Sequence, residues 1–182
     1  MKKIAVLLAE GFEEIEAITP IDVLRRAGFE VDLVSIGQKI VKGSHQIAIE
    51  STKLWENMDA YDALFLPGGQ PGATNLAKEP RVLELIQNYH KNNKIIAAIC
   101  AAPTVLQAAG ILKGVKVTSY PMANVEERFD GAIYLNDNVV LDGNILTSRG
   151  VGTALEFAFA LVDLLGSDST DLKRSTLYQI KH

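Results

Sequence analysis

The chain's one cysteine, Cys100, stands in the stretch "IIAAICAAPTVLQAAG", between an apolar run and a Pro-Thr pair that can open a helix. A thiol at a strand-to-helix turn feels the positive end of the helix, which lowers its pKa and raises the fraction of nucleophilic thiolate. Nucleophile elbows use this strand-turn-helix setting. A buried structural cysteine is the alternative, because free cysteine is among the most buried residue types.

Glu16 is the second candidate, early in "AEGFEEIEAITPIDVLRRAG", on one helical face with Val23 and beside Thr19. A carboxyl over an apolar face has a raised pKa and can hold a proton. The other reading is a solvated residue that, with Glu13 and Glu14, complements the dipole of the helix start. Gly68 and Gly69 allow a turn whose N–H groups hold an oxyanion, or one that only reverses the chain. Arg149 precedes the last helix, placed either to clamp a carboxylate or to pair with the end of the sheet.

The elements around these residues follow from apolar patterning. "KIAVLLA" (3–9) and "FEVDLVSIG" (29–37) read as strands, joined by a helix that Gly28 closes and that Pro20 is expected to kink or split. "QKIVKGSHQIAIES" reads as a hairpin about Gly43, and "YDALFLPGG" (61–69) as a buried strand running into a glycine turn. "PRVLELIQNYHKN" starts a helix at Pro80, with Val82, Leu85, Ile86 and Tyr89 on one face, and "KIIAAI" (94–99) is the strand before Cys100. "GVKVTSY" reads as a strand and "GAIYLNDNVVLDGNILTSRG" as a β-meander. In the final helix, "ALEFAFALVDLL", Thr153 and Glu156 have capping-box spacing and Gly166 is the stop. The polar tail "SDSTDLKRSTLYQIKH" is a short helix or loose. Strands alternating with helices give a mostly parallel sheet covered on both faces, whose ligand site lies beyond the carboxyl ends of the strands. "AEGFEE", "PGGQPG", "CAAP" and "SRGVG" all fall there.

Composition sets the bounds. The 182 residues are 48% apolar and 22% charged, without repeats or a low-complexity linker, as expected of one domain. A net charge of −4 offers no basic field for nucleic acid or anionic lipid. A single thiol forms no internal disulfide, which fits a reducing, cytoplasmic setting. Residues 95–112 carry no charge, but Pro103 and Gly110 interrupt them, so a strand and helix are expected rather than a membrane span. "MKKIAVLLAEGFEE" turns acidic too early for a signal peptide. Three scattered histidines (His45, His90, His182) and one cysteine show no metal-ligand spacing, so no metal cofactor is expected.

"AEGFEEIEAITPIDVLRRAG", "LFLPGGQPGATNL", "IAAICAAPTVL" and "LTSRGVGTALEFAFALV" together resemble the ThiJ/PfpI superfamily, in its Parkinson disease protein 7 (DJ-one) branch, over nearly the whole chain. The resemblance implies a flavodoxin-like (Rossmann-like) three-layer α/β sandwich, with a mostly parallel sheet, helices on both faces and a small β-hairpin. Residues 1–182 then form a single ThiJ/PfpI, class I glutamine amidotransferase-like domain. It further implies a homodimer, no cofactor, Cys100 as nucleophile with a protonated Glu16 against it, and Gly68 and Gly69 as oxyanion donors. Ala101, Tyr120 and Arg149 fall at the substrate site.

Two departures bear on the activity. Tyr120 precedes Pro121 where some members place a histidine, and Ala102 stands where many have glycine. No histidine occupies a motif position and the His-Pro-Glu signature of the amidotransferases is absent, which weakens a protease or amidase reading. The implied activity is that of a glutathione-independent glyoxalase, turning methylglyoxal into lactate, or a deglycase of proteins or nucleotides. The alternative is an oxidative-stress sensor or redox chaperone acting through Cys100 oxidation. The expected partners are a small carbonyl substrate and a second copy of the chain, with no membrane and no nucleic acid.

Overall fold

A computed structural model describes residues 1–178. The first half lays down β1 (Lys3–Leu8), α1 (Glu14–Arg26), β2 (Glu30–Ser35), the short strands β3 (Ile40–Lys42), β4 (Ala48–Glu50) and β5 (Lys53–Leu54), then β6 (Ala63–Leu66), α2 (Gly72–Lys78) and α3 (Pro80–Lys91). After these come β7 (Ile95–Ile99), α4 (Pro103–Ala108), β8 (Lys116–Val117), α5 (Val125–Arg128), β9 (Ile133–Tyr134), β10 (Val139–Asp142), β11 (Ile145–Ser148), α6 (Ala154–Leu164) and α7 (Thr170–Ser175).

Seven strands form one sheet in the order β10-β11-β7-β6-β1-β2-β5, parallel except for the β10–β11 hairpin. Its central strands are apolar on both faces, and their alternation splits the core in two. Ala5, Leu7, Leu64, Leu66, Ile96 and Ala98 face one layer, where Leu76, Val82, Ile86, Tyr89, Val105 and Leu106 of α2, α3 and α4 pack. Ile4, Val6, Leu8, Phe65, Ala97 and Ile99 face the other, against Ala17, Ile21 and Leu24 of α1 and Phe157, Ala158 and Leu161 of α6. The result is the expected three-layer α/β sandwich. The 43–47 hairpin is also as expected, with Ile40 opposite Glu50 and Lys42 opposite Ala48.

Several local expectations are corrected. α1 runs unbroken from Glu14 to Arg26 with Pro20 inside it, so no first turn splits off. It ends as the glycine signal requires: Gly28, at φ 84°, donates to the Arg25 carbonyl and Phe29 to that of Leu24. The meander does not form, because β9 pairs in parallel with β8 in a separate two-stranded sheet and only β10–β11 is a hairpin. Thr153 and Glu156 form no capping box. Thr153 Oγ1 instead accepts from the Gly150 amide (3.1 Å) and lies 2.7 Å from Ser148 Oγ, while Glu156 accepts from Asn138 (3.1 Å). These side chains tie down the loop before α6 rather than its first turn. The tail forms α7, and its last four residues, including His182, lie outside the described residues. Among the described residues no helix is long and apolar enough to cross a membrane.

Candidate active site

Cys100 follows β7 directly and α4 begins at Pro103, so the cysteine occupies the elbow its sequence setting implied. Its φ of 64° is left-handed, a conformation that costs a non-glycine residue about 1 kcal/mol or more. Neighbouring backbone holds it there: its amide donates to the Ser148 carbonyl of β11 (2.9 Å), and its own carbonyl accepts from the Tyr120 amide (2.9 Å). The side chain is half-buried.

Glu16 arrives from the opposite side, in the first turn of α1. The carboxylate of Glu13 caps that helix by accepting from the Glu16 amide at 2.7 Å, which fixes the turn from which Glu16 projects. Glu16 is wholly buried, and neither carboxyl oxygen has a partner at full hydrogen-bonding geometry. Burial pushes its pKa from the ordinary 4.5 up to about 7; the Cys100 thiol and the Gly68 amide pull downward, and the charge of Glu13 pushes further up.

The thiol moves against expectation. Burial, together with the Glu16 carboxylate beside it, pushes Cys100 up to about 12, while the Gly69 and Ala101 amides pull it down. A six-residue helix and two amides do not outweigh burial and a like charge. The two groups titrate as a pair: one proton is shared over a wide pH range, and removing it leaves two negative charges side by side.

Gly68 makes this proximity possible. A Cβ there would lie 2.5 Å from Glu16 Oε2, 2.6 Å from Cys100 Cβ and 2.8 Å from the Ile99 carbonyl oxygen. The two glycines divide their amides: that of Gly68 acts on Glu16, whereas that of Gly69, with Ala101, acts on Cys100.

The pair opens into a cleft of about 510 Å³ whose walls include Glu13, Tyr120, Asn138, Arg149 and Thr153. Tyr120 is 53% exposed and reaches the site with its ring, while its backbone positions the elbow. Arg149 is half-buried at the cleft, its Nη1 donating to the Asn136 carbonyl (2.8 Å). Of the described histidines, His90 lies on α3, away from the cleft lining, and His45 sits on the hairpin turn, its Nδ1 2.9 Å from the buried Glu14 carboxylate. Glu13 and Asn138 were not singled out as site residues from the sequence. Only the position of Glu13 just ahead of α1 signals its capping role.

The DJ-1/PfpI family profile matches residues 2–164. The chain belongs to the DJ-1/PfpI family. It is 40% identical over 173 residues to the Parkinson disease protein 7 homolog of Danio rerio, covering 92% of each chain. It is 38% identical over 170 residues to the glutathione-independent glyoxalase DJR-1.2 of Caenorhabditis elegans, covering 91% of this chain and 90% of that one. The crystal structure of Drosophila melanogaster DJ-1beta superposes with a TM-score of 0.92 at 36% identity, covering 98% of both chains. Within this DJ-1/PfpI chain, the elbow cysteine, the buried glutamate and the paired glycines all lie inside the matched span of residues 2–164.

Proposed function

We propose that this protein is a cofactor-independent enzyme of small reactive aldehydes, converting methylglyoxal to lactate without glutathione. The observation that carries the reading is Glu16, wholly buried and unpartnered, set against the half-buried Cys100 of a strained elbow. In the reactive form the shared proton sits on Glu16 and the thiolate faces the Gly69 and Ala101 amides. The thiolate attacks the aldehyde carbon and forms a C–S bond, and the resulting oxyanion takes the Glu16 proton. The Glu16 carboxylate then removes the hydrogen from that carbon and returns it to the neighbouring one, while the hydroxyl proton on the first carbon passes to the oxygen of the second, leaving a lactoyl thioester. Water enters through the open cleft, cleaves the thioester, releases lactate and restores the thiol. No histidine is needed for these steps, and Tyr120 serves as a cleft wall. The same thiolate is suited to adducts of such aldehydes on proteins or nucleotides.

Glu16→Gln keeps the size of the side chain but cannot shuttle the proton. Intact mass after exposure to methylglyoxal is expected to show an adduct on Cys100 without lactate release; undiminished lactate release would sink the assignment. A second reading, oxidation sensing, is favoured by the same half-buried thiol, which lacks a second cysteine to resolve it. Peroxide then adds two oxygens, and the sulfinate accepts a hydrogen bond from protonated Glu16. Loss of that mass gain in Cys100→Ser supports sensing, and an inert wild type contradicts it. A cytoplasmic location and a homodimer complete the proposal.

A further inference from the structure

We propose that Glu13, Glu14 and His45 form a site for a divalent cation of the zinc type, where the hairpin turn meets the start of α1. One ligand atom from each residue lies within 4.8 Å of the others. His45 Nδ1 is 2.9 Å from Glu14 Oε2 and 3.7 Å from Glu13 Oε1.

Two observations point to a cation beyond the imidazole. Glu13 and Glu14 are adjacent carboxylates only 8% and 5% exposed, and among the described residues His45 is the sole ion-pair partner of either. Even with His45 protonated, the cluster keeps a net charge of −1 that, among the described residues, only hydrogen bonds from amides of α1 and the hairpin and from the Ser44 hydroxyl offset. Independently, Glu13 has an oxygen to spare. Its Oε2 caps α1, but Oε1 accepts no hydrogen bond from the described residues and lies toward His45 from a side chain 10% exposed.

The donor set selects the metal class. Two carboxylate oxygens and one imidazole nitrogen supply three positions of a tetrahedral zinc site and leave the fourth for water. The imidazole disfavours calcium and magnesium, which take oxygen ligands. Glu14 Oε1 is already held by the amides of His45 (2.7 Å) and Ile47 (3.3 Å), which orients the carboxylate and turns Oε2 to the metal, with the Ser44 hydroxyl, 3.4 Å from Oε2 and 3.2 Å from His45 Nδ1, swinging aside. Binding takes place through the Nδ1 lone pair: the proton shared with Glu14 leaves to solvent and the ring keeps its hydrogen on Nε2. The His45 side chain is 71% exposed, so the cation reaches the site from solvent.

The test is calorimetric titration of Zn²⁺ into the full chain carrying Cys100→Ser, which removes the thiol as a competing soft ligand. The expected result is one zinc per chain at micromolar concentration. Adding either His45→Ala or Glu13→Gln should weaken binding by more than about tenfold; the glutamine keeps an oxygen for the α1 cap while losing the charge. His45→Ala removes the ion-pair partner of two mostly buried carboxylates and should itself lower the metal-free melting temperature, so the readout is the rise that zinc produces, which should appear only where His45 is present. Absence of zinc uptake, or uptake indifferent to His45→Ala or to Glu13→Gln, overturns the site.

Discussion

Gly68→Ala is a direct probe of the packing that brings Glu16 to Cys100. Gly68 does not have a left-handed φ, so the substitution adds one methyl group and no backbone strain. That methyl would meet Glu16 Oε2 at 2.5 Å, Cys100 Cβ at 2.6 Å and the Ile99 carbonyl oxygen at 2.8 Å, where ordinary contact begins near 3.4 Å. The Ile99 oxygen is sheet backbone and Cys100 is fixed by hydrogen bonds to Ser148 and Tyr120, so neither yields easily. The glutamate must swing instead, from a site with no solvent exposure. Overpacking of this kind costs about 3 kcal/mol, the upper end of the usual range. For a chain of this size that lowers the melting temperature by about 6–12 °C. Displacing Glu16 by about 1 Å should cost about a hundredfold in lactate formation. Thermal melts monitored by circular dichroism and a lactate assay read the two effects. Gly152→Ala is the control, because it lines the same cleft with nothing within 4 Å of the added carbon, and it should melt like wild type. If Gly68→Ala also melts and turns over like wild type, the close approach of Glu16 to Cys100 is wrong.

Other outcomes follow from the same geometry. The folded Glu16 carboxyl titrates near 7 against an ordinary 4.5, so its proton stabilises the fold below about pH 4.5 and that contribution, about 3 kcal/mol, is lost as pH rises through 7. Relative to wild type, Glu16→Gln should therefore gain in melting temperature between pH 5 and pH 8.5, and a constant difference would refute the burial argument. Tyr120→Phe should keep nearly full activity, since the tyrosine holds the elbow through its amide; a loss beyond about tenfold would make the hydroxyl catalytic. Thr153→Val should cost about 1 kcal/mol by leaving the Gly150 amide without its acceptor and Ser148 Oγ with only the Asn138 carbonyl, read as a fall in denaturant midpoint; an unchanged midpoint would refute the network.

The sheet was legible because its central strands are apolar on both faces and end in glycine or turn signals. The elbow was legible too, since "IIAAIC" followed by Pro103 has one economical reading. What escaped depends on distant pairing. β8 and β9 are two residues each, too short for periodicity, and their partnership is set by where the chain returns after α5. α2 was hidden behind the glycines and prolines of "PGGQPG". The direction of the thiol shift follows from how deeply Cys100 and Glu16 are buried together, which no spacing along the chain reveals. The meeting of His45 with Glu14, 31 positions away, arises only once the hairpin folds back onto α1.

The most direct test of the central claim is lactate production from methylglyoxal without glutathione, with wild type, Cys100→Ser and Glu16→Gln assayed side by side. Lactate from wild type and from neither variant is the predicted result. Lactate from either variant at the wild-type rate, or none from wild type above buffer, would contradict the account.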